Sequence, residues 1–181
     1  MDIIKLRKIY ELKSVGRANQ ANGRPESSAE HTFSCLILAD FFLDEIKLNK
    51  AKVFDLILYH DVVEVESGDN PSHLDIDEMI QSEKESDGAK VLKKILPQKA
   101  AKKFYTLFLE FEAQKTKEAR FAKAIDKLDA VLQALDKSND WKLWPKEVLI
   151  KKKKPFFEEF PIVLKAFYDI IEYLEKENYF D

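Results

Sequence analysis

Residues 58–71 read LYHDVVEVESGDNP and place His60 directly before Asp61. Apolar residues around this pair predict a buried helix over about Lys50–Glu66. Glu64 follows His60 by four residues and Asp61 by three, so the three side chains can reach one cavity from consecutive turns. Burying such groups without partners costs free energy, so the stretch indicates a pocket with a chemical role.

A metal ion would remove this cost, because it binds neutral imidazole and ionised carboxylate directly. The chain has three histidines, His31, His60 and His73. His31 stands in the first turn of a predicted helix, and Asp126 lies within the apolar stripe of another, where Asp129 is a nearby alternative. Two histidines and two aspartates from three helices would form a plausible four-ligand site of nitrogen and oxygen atoms.

The composition fits one soluble domain of 181 residues, with 45% hydrophobic and 35% charged residues. Only 4 glycines and 6 prolines interrupt many Lys, Glu, Leu and Ala residues, which favours a helical protein. The net charge of −3 excludes a broad cationic surface for nucleic acid. The single cysteine, Cys35, cannot form an intrachain disulfide, and no apolar run approaches a membrane span, so a cytoplasmic location is expected.

The pattern of the chain predicts an all-α protein of six to eight helices. A capping box at Ser27 and Glu30 starts a helix whose apolar residues Phe33, Leu36, Ile37 and Phe41 recur at helical spacing. The other predicted helices cover about 2–13, 50–66, 74–96 (with Gly88 as a potential break), 97–111, 117–136 and 160–176. The predicted loops are GRANQANGRP (16–25) and DKSNDWKLWPKE (136–147). The run KKKK (151–154) is expected to be solvated, with a place at the border of a phosphate pocket as the alternative.

Three motifs stand in order along the chain: ESSAEH (26–31), HDVVEVESGD (60–69) and AIDKLD (124–129). Together with the preceding arginine they resemble the HD-domain metal-dependent phosphohydrolases, and within them the bacterial 5'-deoxynucleotidases. The resemblance implies an HD-domain helical bundle formed by one domain over 1–181. Its metal-site core would lie in about 12–135, followed by a C-terminal helical extension.

The same resemblance implies a divalent metal ion held by His31, His60, Asp61 and Asp126. One ion per subunit is expected, and Mn, Co, Zn, Fe, Ni and Mg all remain candidates. The implied reaction is hydrolysis of a nucleoside 5'-monophosphate, with ribose or deoxyribose, to nucleoside and phosphate. Relatives of this kind imply a homodimer, whose only partner would be a small phosphate ester.

The remaining implied roles belong to acids and arginines around the metal ligands. Glu64 is the candidate general acid or base, or orients the attacking water, and Asp69 would lie near the sugar or the water. Arg17 would bind the phosphate, with Arg24 as an alternative. The family has a tryptophan where this chain has Ala18, and its loop is about one residue longer, which leaves nucleoside selectivity open.

Two other functions compete with this one. The chain could hydrolyse a different phosphate ester, such as a phosphodiester or a nucleoside triphosphate. It could also be a non-catalytic HD module that binds a metal or nucleotide, although the complete set of predicted ligands argues against that reading. Taken singly, His31 could be a helix-start residue, Asp69 a turn former, and Arg17 a surface charge.

Overall fold

The computed structural model describes residues 2–70, 78–136 and 145–180, which contain eight α-helices and one β-hairpin. The predicted all-α class is therefore confirmed. No helix in this part of the chain is long and apolar enough to cross a membrane. The α-helices are α1 Ser28–Leu43, α2 Lys50–His60, α3 Glu64–Ser67, α4 Glu78–Ile95, α5 Gln98–Ala113, α6 Lys117–Gln133, α7 Lys146–Lys153 and α8 Pro161–Lys176. The 3-10 segments are Asp2–Ser14, Asp61–Val63, Ala134–Asp136 and Lys154–Phe156.

The segment predicted as a loop, residues 16–25, is instead largely an antiparallel hairpin. Strand β1 (Gly16–Ala21) pairs with β2 (Arg24–Ser27), and Ala21 lies opposite Arg24. The two turn residues, Asn22 and Gly23, have φ values of 51° and 80°, which is the backbone of a two-residue turn that matches strand twist. The Asn-Gly pair was the sequence signal for this hairpin, although alternation of apolar residues is missing from both strands.

Helix α1 begins with the predicted capping box. The Glu30 backbone N–H donates to Ser27 Oγ at 3.2 Å, and the Ser27 N–H donates to a Glu30 carboxylate oxygen at 2.9 Å. The expected apolar spacing, however, marks the outer face of the helix: Phe33, Ile37 and Phe41 are 65%, 59% and 68% exposed. The buried face of α1 is made mainly of small or polar residues, with Phe42 as the one large apolar exception: Ser28, His31, Thr32, Cys35, Ala39 and Phe42.

The helix predicted over 50–66 is interrupted after His60, so the prediction of one continuous helix is wrong. Helix α2 ends at His60, and Asp61 adopts φ −91° and ψ 0°, outside the α-helical region. A 3-10 turn over Asp61–Val63 then leads into the short helix α3. Adjacent residues of an unbroken helix point about 100° apart, so this change of backbone lets His60 and Asp61 face one site.

Gly88 does not break α4, which runs through it. A Cβ atom at this position would lie 3.1 Å from Glu66 Cβ and 3.4 Å from Val63 Cγ2, so glycine permits close packing of α4 against α3. Most of the loop predicted over 136–147 lies outside the described residues, at 137–144. Its last two residues, Lys146 and Glu147, instead begin helix α7, which was not predicted. The main core joins buried residues of α1, α2, α5, α6, α7 and α8.

Candidate active site

The four predicted metal ligands come together from four segments of the fold. His31 projects from the first turn of α1, His60 from the last residue of α2, Asp61 from the 3-10 turn and Asp126 from the middle of α6. His31 Nε2 lies 3.3 Å from an Asp126 oxygen and 3.7 Å from Asp61 Oδ2, and His60 Nε2 lies 3.1 Å from Asp61 Oδ1. Residues 95 positions apart in sequence thus share one small, buried cluster.

The break after α2 also fixes the protonation of the His60 ring. The Asp61 N–H pairs with Tyr59 O, and the Ile57 carbonyl instead contacts His60 Nδ1 at 2.6 Å. A carbonyl can only accept, so Nδ1 carries the proton and Nε2 presents a lone pair. Nε2 is fully enclosed and has no hydrogen-bond partner among residues 2–70, 78–136 and 145–180, and burial lowers the pKa of His60. The ring is therefore oriented as a neutral donor of an electron pair.

His31 is oriented in the same way by an acid that was only an alternative in the sequence. Asp129 Oδ2 lies 2.7 Å from His31 Nδ1, with His31 fully buried and Asp129 3% exposed. The carboxylate accepts from Nδ1–H, so Nε2 is the ring nitrogen that faces Asp126 and Asp61 and is the one available to a metal. Histidines that bind metals are commonly held by such a carboxylate on the other ring nitrogen.

The resulting cluster consists of electron-pair donors that face one another. Metal bonds of about 2.0–2.2 Å place neighbouring ligand atoms about 3 Å apart, close to the separations of 3.1, 3.3 and 3.7 Å found here. The chemistry of the donor set and the enclosed Nε2 of His60 thus fit a divalent cation. Burial alone lowers the pKa of His31, but hydrogen bonds to Asp126 and Asp129 help raise it well above its usual value. Without a metal the ring therefore also holds a proton on Nε2, and a bound cation would replace that proton.

Two further groups of potential ligands overlap this cluster. His31, Cys35 and His60 form one, and Glu26, His31 and Asp129 form the other, with ligand atoms within 4.8 Å in each group. Burial raises the pKa of Cys35 to about 12, which keeps the thiol protonated and makes it a poor ligand. In the second group the His31 nitrogen is already hydrogen-bonded to Asp129. The mixed nitrogen and oxygen set therefore has the better chemistry for a metal.

Arg17 occupies the middle of the neighbouring acids. Its Nη1 donates to Asp61 Oδ2 at 3.0 Å and lies 3.4 Å from Asp69 Oδ1 and 3.9 Å from Glu64 Oε1. Its Nε lies 3.6 Å from Glu26, a residue that is 1% exposed and was not predicted from the sequence. Strand β1 thus carries a cation whose side chain is only 12% exposed directly to the cluster.

Glu64 and Asp69 both lie beside Arg17, as the sequence predicted for one shared site. Burial and the negative charge of Asp61 raise the pKa of Glu64 well above its usual value, although Arg17 opposes them. The Ser28 hydroxyl donates to Glu64 Oε2. Burial likewise raises the pKa of Asp69, which accepts a hydrogen bond from the Ala18 backbone.

Arg24 is not brought to this cluster. Its side chain, on β2, is 58% exposed, and its Nη1 donates a hydrogen bond of 2.9 Å to Glu30 Oε2. His73 lies outside the described residues. Lys127 does reach the cluster, with its Nζ 3.1 Å from an Asp126 oxygen. Burial alone raises the pKa of Asp126, but Lys127 and His31 lower it by more.

Comparison with known proteins assigns this arrangement to a family. The profile of the HD domain matches residues 9–161. This chain belongs to the HD domain family. It is 32% identical over 132 residues to the human 5'-deoxynucleotidase HDDC2, an alignment that covers 71% of this chain and 64% of the human protein. The chain thus spans slightly less than two thirds of that relative.

Two less similar proteins align with a larger part of this chain. The 5'-deoxynucleotidase HDDC2 of Dictyostelium discoideum is 27% identical over 169 residues, which cover 90% of this chain and 82% of that protein. The crystal structure of a predicted metal-dependent phosphohydrolase from Magnetospirillum magnetotacticum MS-1 superposes with a TM-score of 0.86 at 25% identity. That similarity covers 98% of this chain and 93% of the other.

Proposed function

We propose that this protein is a metal-dependent phosphohydrolase that converts nucleoside 5'-monophosphates, with ribose or deoxyribose, to nucleoside and phosphate. One observation carries the proposal: the Nδ1 atoms of two histidines are held by other acceptors, and their Nε2 atoms meet two carboxylates at one position. The 5'-deoxynucleotidase relatives supply the substrate class.

In this proposal His31, His60, Asp61 and Asp126 hold one divalent ion per subunit. When bound, such an ion supplies Lewis-acid polarisation of a phosphoryl oxygen and lowers the pKa of water. Asp129 and the Ile57 carbonyl keep the two imidazole rings in the orientation that this binding needs. Manganese, cobalt, zinc, iron, nickel and magnesium are all compatible with ligands of this type.

Glu64 is the proposed proton carrier of the reaction. It is 8% exposed, lies one turn after Asp61, and accepts a hydrogen bond from Ser28, which holds its carboxyl group toward the cluster. A buried carboxyl whose pKa is raised can hold a proton near neutral pH and pass it to a leaving oxygen or take it from water.

Arg17 is the proposed phosphate-binding residue, because its side chain is largely enclosed and its guanidinium lies between Asp61 and Asp69. These acids hold the cation where an incoming phosphate would meet it, and a guanidinium binds two phosphate oxygens in parallel. Asp69 is proposed to lie at the substrate sugar or the water. Arg24, which pairs with Glu30 on the exposed side of β2, is the weaker candidate for the phosphate role.

A second candidate function is hydrolysis of a different phosphate ester. Ala18 supports it, since a methyl group stands on β1 where the resembling nucleotidases have a tryptophan, and its N–H bonds to Asp69. A substrate pocket without that aromatic ring would hold a base less selectively. A non-catalytic module remains the third reading, and turnover separates it from both enzymes.

The test measures phosphate release from a panel of ribo- and deoxyribonucleoside 5'-monophosphates. Chelator-stripped protein receives Mn²⁺, Co²⁺, Mg²⁺ or Zn²⁺ separately, and Asp61→Asn is compared with Asp55→Asn. Asp55 lies on α2, about one and a half turns before Asp61, but pairs with Lys103 at the surface, so its variant should retain activity. We expect phosphate release that depends on metal and falls at least about a hundredfold in Asp61→Asn. Even mutation of a residue that only hydrogen-bonds to a metal ligand lowers metal affinity or activity by about 10–100-fold.

Absence of release with every metal would overturn the nucleotidase assignment. Retained binding of Mn²⁺ in calorimetry would then favour the second candidate, which a panel of phosphodiesters and nucleoside triphosphates would test. Loss of both metal binding and turnover in the wild-type protein would leave neither enzymatic function standing.

We further propose one HD domain over the chain and a homodimer in the cytoplasm. Core residues of α8 such as Phe167 pack in the same buried cluster as those of α2 and α6, which supports one domain. The exposed apolar stripe of Phe33, Ile37 and Phe41 supports self-association. Light scattering after gel filtration should show a dimer that Ile37→Glu weakens, and a wild-type monomer at all concentrations would contradict this.

The single buried thiol of Cys35 is compatible with a reducing compartment. A net charge of −3 supports a small phosphate ester rather than nucleic acid as the partner.

A further inference from the structure

One lysine of the KKKK run is buried, against the expectation of a solvated run. Lys153, at the end of α7, is 7% exposed, whereas Lys151 and Lys152 are exposed. It lies four residues after Leu149, the other buried residue of α7, so the two share the inner face of the helix. Lysine is almost never buried to this degree unless it is paired.

Lys153 has no such pair among residues 2–70, 78–136 and 145–180. Its Nζ has no carboxylate within 4.0 Å and makes no hydrogen bond there, unlike its neighbour Lys154, which pairs with Glu158. Four described side-chain atoms are fully enclosed without a partner, and Lys153 Nζ is not one of them. The ammonium group therefore borders accessible space, while its aliphatic stem is buried.

The 3-10 segment that directly follows Lys153, Lys154–Phe156, packs against α6, the helix that carries Asp126 and Lys127. Charges of the candidate active site therefore act on this ammonium group. Burial, together with the charges of Lys127 and Arg17, lowers the pKa of Lys153 to about 8, although Asp126 opposes them. Lys127 and Arg17 are each held by a carboxylate, Asp126 and Asp61 respectively. Lys153 is the member of this cationic group without a bound acid in the described structure.

We propose that Lys153 is a substrate-binding residue whose ammonium group binds the phosphate of the nucleotide on the α7 side of the metal cluster. The inference rests on the proposed function, which supplies a phosphomonoester substrate and inorganic phosphate as product. An anion with several acceptor oxygens compensates the buried charge, and an ammonium offers three donors to it. Arg17 and Lys153 then approach the phosphate from two different elements, β1 and α7.

The test compares Lys153→Met, which keeps the stem and removes the charge, with Lys151→Met, its exposed neighbour in the same run. The probe is inorganic phosphate, titrated by calorimetry into Mn²⁺-loaded protein, followed by KM and kcat for a nucleoside 5'-monophosphate. A charge-assisted contact predicts phosphate binding and KM weakened about ten- to a hundredfold in Lys153→Met and less than about twofold in Lys151→Met. Mn²⁺ affinity should be unchanged in both.

Equal phosphate affinity in Lys153→Met and wild type would overturn the proposal. So would a lower melting temperature of the metal-free variant, because removal of an unpaired buried charge should leave stability equal or higher. Amine labelling of the wild-type protein provides a readout without substitution. Inorganic phosphate should slow modification of Lys153 severalfold but not of Lys151, and equal rates would also overturn the proposal.

The two proposals fail differently in this design. Wild-type protein that binds phosphate through Lys153 but hydrolyses no nucleotide would refute the nucleotidase assignment alone. Turnover with a KM and phosphate affinity independent of Lys153 would refute only the role of this lysine. Wild-type protein that does not bind inorganic phosphate would refute the role of Lys153 whatever its turnover.

Discussion

Asp129 is expected to control metal binding without touching the metal. Its carboxylate keeps the proton of His31 on Nδ1 through a contact of 2.7 Å in a fully buried setting. In Asp129→Asn the amide can donate to Nδ1, which favours the ring protonated on Nε2 and directs that proton into the ligand cluster. Loss of such an outer partner weakens metal binding by about 10–100-fold.

The loss of metal affinity in Asp129→Asn can be measured as a smaller rise of Tm on addition of metal. A metal at about 100 times its Kd stabilises the folded protein by about 2.7 kcal/mol, and for a chain of this length each kcal/mol raises Tm by about 2–4 °C. Wild-type protein should therefore melt about 5–11 °C higher with Mn²⁺ than with chelator. For Asp129→Asn the stabilisation at the same concentration falls to about 0.4–1.4 kcal/mol, a rise of about 1–6 °C.

The assay is a melt of wild type and variant at one Mn²⁺ concentration and in chelator, combined with calorimetric titration of Mn²⁺. Glu118→Gln is the control, because this acid lies on the same helix about 16 Å from Asp129 along its axis. A metal-dependent rise in Asp129→Asn equal to that of wild type would refute the role of Asp129 in orienting His31. A fall in Tm of the chelated variant alone would indicate a purely structural contact.

Three further predictions concern pH and packing. Burial raises the pKa of Glu26 from 4.5 to about 7, so this group binds a proton more tightly in the folded than in the unfolded state. Its contribution to the free energy of unfolding therefore falls as pH rises from about 4.5 to about 7. Glu26→Gln should therefore raise Tm more at pH 8 than at pH 5, and an equal change at both would contradict this. Gly88→Ala should cost about 1–3 kcal/mol in chemical denaturation, since its Cβ would lie 3.1 Å from Glu66 Cβ, and unchanged stability would show that α3 gives way. Gly23→Ala should cost about 1 kcal/mol because φ is 80°, whereas Gly16→Ala, with its nearest contact at 3.6 Å, should be nearly neutral; equal effects would refute the turn assignment.

Local sequence signals predicted the starts of helices well where capping residues or proline mark them. The capping box at Ser27 and Glu30 marked the start of α1, and Pro97 marked the start of α5, in agreement with the structure. The hairpin was missed because its strands, GRANQA and RPES, lack alternation, and only Asn22-Gly23 signals the turn. Tertiary contacts replace that alternation: Asn19 donates to Ala130 O, and Gln133 donates to Gln20 O.

The buried face of α1 could not be read from hydrophobicity. Phe33, Ile37 and Phe41 outrank Cys35 and Ala39 in size and apolar character, yet they lie outside. The inner face must pass close to His31 and the helices around it, which requires small side chains. Periodicity therefore indicated the helix correctly, but space around a polar cluster determined which side is buried.

For the candidate site, ordered motifs brought together the residues that the structure also brings together: His31, His60, Asp61 and Asp126. Their order in sequence carries information because each motif is attached to a separate helix or turn. Glu26 begins the motif ESSAEH but received no role, and Lys153 stands in a run of four lysines whose pattern favours a solvated surface. Only tertiary packing distinguishes Lys153, at 7% exposed, from Lys151 beside it.

The end of α2 at His60 has a consequence for how this chain can change in length. One inserted residue between Ile57 and His60 would turn every following side chain by about 100° and separate the His60 ring from the carbonyl that orients it. The connection between α1 and α2, residues 44–49, carries none of these side chains and can vary without that penalty. Insertion variants at the two places should therefore differ sharply in function, even though both lie within a few turns of the same histidine.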